Sequence, residues 1–227
     1  MKILNYNQFS NLSESDEEKS YTFDELSPEA KQHAIESNRD YNIEGYDWWD
    51  PIIEGFTEDL EEIGMTGIDC QFSGFHSQGD GASFTGKVND NKKFLSALGI
   101  NPLENLARGR EVSGNIKEAL EELAENIYIT IERHDSRYYH YNTIAANVEV
   151  DGDYEIEMDL GLGVNITIDV QDQCDKMEPV ISEWARGKSK DLYSRLEKSY
   201  EELTSDEYIE TDLKSGGHMF DEDGNMV

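Results

Sequence analysis

Residues 143–160 read TIAANVEVDGDYEIEMDL. Ile144, Ala146, Val148 and Val150 alternate with smaller or polar neighbours up to Asp151-Gly152, and Tyr154, Ile156, Met158 and Leu160 alternate on the far side. A period of two marks a strand with one covered face, and Asp-Gly between two such runs predicts a hairpin. The pattern recurs upstream in IYITIERH (127–134), where Ile127, Ile129 and Ile131 point one way. Residues 68–75 and 82–88 predict another strand pair, and VNITIDV (164–170) a further strand.

Helices lie on both sides of these strands. Ser27-Pro28 supplies a cap and a preset first turn for a helix running to about Asn38. A second helix is predicted over 47–63, a third over about 116–125 and a long one over about 176–203. TSDE (204–207) is a capping box that opens a last short helix. Strands paired by turns, with helices grouped around them, predict an α+β fold: a mainly antiparallel sheet of about five or six strands packed against helices from the N- and C-terminal parts. Without a parallel crossover, no dinucleotide or P-loop site is expected.

The polar and then acidic stretch 1–20 is expected to be a mobile tail, and 21–227 a single domain. The chain carries 50 acidic and 19 basic residues, a formal net charge of -31. That excess repels phosphate backbones and anionic lipid, so direct nucleic-acid or membrane binding is not expected, whereas basic partners are favoured. Cys70 and Cys174 form no metal-binding spacing, no apolar run is long enough to span a bilayer and no signal-peptide core opens the chain, which together predict a reduced, cytosolic-type protein.

The charge is patterned. Between 47 and 63, Trp49, Ile52, Ile53, Phe56, Leu60 and Ile63 share one helical face, while Asp47, Asp50, Glu54, Glu58 and Glu61 occupy another with no basic residue in the segment. In the hairpin, Glu149, Asp151, Asp153, Glu155, Glu157 and Asp159 are the outward row. Same-face residues on a strand stand about 6.5–7 Å apart, close to the spacing of successive phosphates along one nucleic-acid strand. These eleven carboxylates are the candidate partner-binding residues.

FSGFHSQGDGASFTG (72–86) is the other unusual stretch. Its glycines do not open a helix, so they do not cradle phosphate, and its acidic spacing fits no calcium loop. Asp80 in an Asx-type turn explains much of it. His76 and Gln78 are not required by a tight turn, and ERHDSRYYHY (132–141) places His134 and His140 in a loop between two strands. His76, Asp80, His134 and His140 are therefore the candidates for acid–base chemistry if the two loops share a sheet end. No histidine pair has the spacing of a metal site, and neither metal nor cofactor is expected.

YTFDELSPEAKQHAIE, the WWD helix, FSGFHSQGDGASFTG, RYYHY, DLYSRLEKSYEELTSDEYIE and FDEDGN resemble, in that order, an uncharacterised family of tailed-bacteriophage proteins whose members are sometimes labelled antitoxin-like. The resemblance covers most of 21–224, with QGDGASF its most specific part, and this chain departs from it in a longer acidic hairpin. It implies a genomic setting and carries over no catalytic residue. MKILNYNQFSNLSE is similar to the short leaders of large contractile-tailed phages, cut after L/I-x-E, which Leu12-Ser13-Glu14 matches. The resemblance implies action in the host cytoplasm, or a place inside the virion if the chain is cut after Glu14. Two readings follow. One is a non-enzymatic acidic protein that stands in for nucleic-acid phosphates on a basic host protein, a defence nuclease or DNA-binding regulator. The other is a small enzyme or ligand-binding domain at the two loops.

Overall fold

The computed structural model describes residues 19–101, 114–135, 137–150, 152, 155–159 and 165–227. The leader, the Leu12-Ser13-Glu14 match, and Asp151, Asp153, Tyr154 and Leu160 lie outside the described residues. In chain order the elements are β1 (Tyr21–Thr22), α1 (Pro28–Ser37), α2 (Asp50–Glu61), β2 (Met65–Phe72), β3 (Ala82–Val88), α3 (Asn91–Ala97), α4 (Gly114–Asn126), β4 (Ile127–Arg133), β5 (Ile144–Val150), β6 (Glu155–Asp159), β7 (Asn165–Asp169), α5 (Val170–Leu203), α6 (Asp206–Ser215) and β8 (Met219–Phe220). The fold is α+β, with every strand pairing antiparallel. Two compact units are present, one formed by residues up to Trp48 with Ser199–Val227 and the other by Trp49–Lys198.

In the first unit, β1 pairs with β8, and Phe23 meets Phe220 edge-on over Leu26, Ala30, Ala34, Ile35, Ile209 and Leu213. Ser27 Oγ accepts from Ala30 N–H at 3.1 Å, the cap expected from the sequence. The cap of α6 is Ser205, which accepts from Tyr208 N–H, one residue later than TSDE predicts. The Thr204 hydroxyl instead donates to the Tyr200 carbonyl.

The second unit is built on a four-stranded meander, β2-β3-β4-β5. Ile127, Ile129 and Ile131 of β4 and Ile144, Ala146 and Val148 of β5 are buried on one face. Tyr128 and Glu149, which pair across the strands, stand exposed on the other. Phe56 of α2 and Trp184 of α5 both meet Phe84 of β3 edge-on, and Trp184 also meets Phe94 of α3. Among the described residues these helices lie on the face that carries Phe84.

Among the described residues no pairing joins β5 to β6 across Asp151-Gly152 as predicted. β5 pairs with β4 along all of Ile144–Val150, whereas β6 pairs with β7 in a separate two-stranded sheet. The outward edge of β5 is closed by a helix instead. Ala146 N–H donates to Ser182 Oγ at 2.9 Å, and the Ile144 carbonyl accepts from Arg186 Nε at 3.1 Å. Period two specifies which face is buried; it does not say which neighbour satisfies an edge. Helix α5 also begins at Val170, earlier than predicted, and runs through Pro179.

Candidate functional site

Helix α2 sorts its side chains by angle. At 3.6 residues per turn, Asp50, Glu54, Glu58 and Glu61 fall within an arc of about 80°, and all four are exposed. Phe56 and Leu60 are buried on the opposite side. Asp59, outside the acidic arc, is ion-paired with Arg195 of α5 at 3.1 Å. Among the described residues no lysine or arginine comes within ion-pair distance of Asp50, Glu54, Glu58 or Glu61. Carboxylates at i, i+4 repel by a few tenths of a kcal/mol, roughly. The helix bears that repulsion outward, and the acid it does neutralise, Asp59, is a half-exposed one beside α5. Asp47 is exposed but belongs to the first unit.

The second predicted acidic row is not one row. Glu149 is exposed on β5 and accepts from Asn147 Nδ2 at 2.8 Å, while Glu155 and Glu157 are exposed on β6 in a different sheet. Asp159 belongs to β6, with its side chain outside the described residues, as Asp151 and Asp153 are entirely. Glu155 stands directly opposite Asp169 of β7, and both are exposed. Like charges directly opposite destabilise a strand pair, so this hairpin also carries unrelieved negative charge.

The two loops singled out in the sequence share one end of the meander. Strand β3 leaves that end and β4 returns to it, so the β2–β3 connection (73–81) and the β4–β5 connection (134–143) are neighbours. They touch: a Cβ built on Gly81 would lie 2.9 Å from His140 Cα and 3.2 Å from its Cδ2. The glycine is required by this approach. Gly79 is required for another reason, a φ of +101°.

Asp80 organises its loop by reaching backward. Its Oδ2 accepts from Ser77 N–H at 2.7 Å and from His76 N–H at 3.0 Å. This is a carboxylate cap on preceding amides, not the forward Asx turn expected. His140 Nδ1 accepts from Asn142 N–H at 3.2 Å. His134 N–H donates to the Thr143 carbonyl, closing the loop at its base. The side chains of His76, Gln78 and His134 are exposed. Thus the structure brings together the loops that carry the four candidates, with the direct approach made by Gly81 and His140. Arg137 is committed within its own loop, bonding Asp135 through Nε and a terminal nitrogen, and this holds the Asp135 carboxyl below the usual range.

Other groups also reach this end. Tyr193 of α5 stacks near Phe75, and its hydroxyl donates to the Gly74 carbonyl at 3.4 Å. Burial, then Glu197 and Asp80, push its phenol upward. Arg133 lies 4.9 Å over the Tyr139 ring and Lys190 of α5 lies 4.3 Å over the Tyr141 ring. One signal was legible: Arg133 is the next position of the alternating row Ile127, Ile129, Ile131.

Among the described residues no group of three or more His, Cys, Asp or Glu side chains is arranged to hold a metal ion, and no helix is long and apolar enough to cross a membrane. No curated protein and no solved structure matches the chain. A family model does, over residues 48–206, which takes in the acidic helix, the meander with both loops, and all of α5. The chain belongs to the family described as Domain of unknown function (DUF8835).

Proposed function

We infer that the protein is a non-enzymatic acidic interaction protein whose carboxylates occupy the basic nucleic-acid surface of another protein. The observation that carries this is the α2 row: Asp50, Glu54, Glu58 and Glu61 exposed on one arc, with no cation paired to them among the described residues, while Asp59 is paired with Arg195 of α5. Successive members at i, i+4 advance by about 6 Å along the axis, a spacing that a groove built for phosphates accepts. A row held by a helix is already ordered, so binding does not pay to organise it. Glu155 and Glu157 on the separate hairpin add a second acidic patch. In this reading the protein is phage-encoded, acts in the host cytoplasm, and its partner is a basic nuclease or DNA-binding regulator.

The test is reversal of the row. Glu54→Lys, Glu58→Lys and Glu61→Lys change exposed positions and should leave the circular dichroism spectrum and melting temperature close to wild type. Partner capture from bacterial lysate should be lost in the triple variant. For the wild type it should weaken steeply between 0.1 M and 1 M salt, as the screening length falls from about 10 Å to about 3 Å. Association that survives both changes would refute the reading.

A further inference from the structure

The meander is uneven. Six residue pairs join β2 to β3 and seven join β4 to β5, but the central ladder holds only Gly86↔Ile131 and Lys87↔Thr130. Beyond Gly86 no ladder pairs join β3 to β4, although the strands stay close, and the loop carrying His140 rests on Gly81 at that end. Three cations gather around this split. Arg133 ends β4, and its terminal nitrogen lies 3.5 Å from the Oγ of buried Ser83 on the other strand. Arg186 donates to the carbonyl of Ile144, the residue paired with Arg133. Lys190 stands one helical turn beyond Arg186 and lies over Tyr141.

These cations are poorly neutralised for so acidic a chain. Among the described residues no carboxylate lies within ion-pair distance of Arg133 or Lys190, and Arg186 has only the exposed Glu183 at 3.8 Å. Arg133 is half-buried, where an unpaired charge is costly. Arg186 and Lys190 at i, i+4 also repel each other. A second observation is independent of charge. Ser189, between them on α5, is fully buried, and its hydroxyl has no hydrogen-bond partner. It lies on the same sheet-facing stripe as Ser182, whose hydroxyl bonds Ala146 N–H, but further along the helix toward the split end. Leaving a buried hydroxyl without a partner is costly, and a bound acceptor would relieve that cost.

We propose that the split end of the sheet binds a phosphate group, free or as a simple monoester, held by Arg133, Arg186 and Lys190 with a hydroxyl contact from Ser189. Guanidinium forks match phosphate oxygens bidentately, and a lysine supplies the compact third charge. The cation–π contacts with Tyr139 and Tyr141 hold Arg133 and Lys190 near the split before the ligand arrives. This site is separate from the α2 carboxylates, so either proposal can fail alone.

The probes are inorganic phosphate and glycerol phosphate, titrated calorimetrically into the full chain at constant ionic strength, with chloride as the reference anion. Saturable one-to-one binding is expected for at least one probe, with a melting temperature that rises with its concentration. Arg133→Met keeps the aliphatic stem and should weaken binding at least tenfold. Lys190→Met, at an exposed position, should weaken it about tenfold without altering the fold, and it serves as the decisive variant if Arg133→Met does not fold. Lys93→Met on α3 should bind as wild type. No saturable binding of either probe, or equal affinity in wild type and Lys190→Met, would overturn the proposal.

Discussion

Gly81→Ala isolates the contact between the two loops. The new methyl group would lie 2.9 Å from His140 Cα, 3.2 Å from Cδ2 and 3.5 Å from Cβ, where carbon atoms prefer about 3.5–4.0 Å. The obstacle is backbone, and it cannot simply rotate away. The His140 carbonyl accepts from Thr143 N–H at 2.9 Å and from Thr143 Oγ1 at 2.7 Å, and His134 N–H holds the Thr143 carbonyl at 2.8 Å. Forcing an extra methyl into such a site costs about 1–3 kcal/mol. The reduced freedom of the unfolded chain returns about 0.4–1 kcal/mol. The net is a loss of about 1–2 kcal/mol, or about 2–8 °C in melting temperature for a chain of this size. Gly187→Ala is the control: it lies within α5 and its added Cβ meets no atom within 4 Å, so it should gain about 0.5–1 kcal/mol. Urea and thermal unfolding of the two variants should move in opposite directions. A Gly81→Ala protein as stable as wild type would refute the loop contact, and with it a shared sheet end.

Ser182→Ala should cost about 1–3 kcal/mol in urea unfolding, because Ala146 N–H at the edge of β5 loses its buried acceptor. Glu155→Lys should stabilise the β6–β7 hairpin by about 0.2–1 kcal/mol, since it turns the Glu155–Asp169 pair into an attractive one; amide hydrogen exchange in that hairpin should slow. Burial pushes the thiols of Cys70 and Cys174 from 9.0 up to about 11. Between those values the unfolded chain has released protons that the folded chain retains, so stability should fall as pH rises from 9 to 11. Flat stability across that window would contradict the burial of both groups.

The element types were legible because covered faces leave a period. Ile127, Ile129 and Ile131 marked β4, and the Phe56 and Leu60 side of α2 separated itself from Asp50, Glu54 and Glu58. The neighbours of β5 were not legible. Its edge is satisfied by Ser182 and Arg186, more than thirty residues away in sequence, and no local pattern announces a hydroxyl that will accept a strand amide. The glycines around Asp80 suggested one turn, yet they serve two constraints: Gly79 a backbone angle and Gly81 the approach of His140. His134 and His140 were placed at the correct sheet end by topology alone. Arg133 went unremarked because its partner is the ring of Tyr139, not a charge written beside it.

The central claim is that the α2 carboxylates occupy a surface made for phosphates, and competition with nucleic acid tests it most directly. A protein captured from bacterial lysate on the immobilised full chain is challenged with duplex DNA at fixed ionic strength, with an equal charge of polyglutamate as reference. The account predicts release by duplex DNA at lower charge concentration than by polyglutamate, and no capture at all by the Glu54→Lys, Glu58→Lys, Glu61→Lys variant. A captured partner that duplex DNA cannot displace would contradict it.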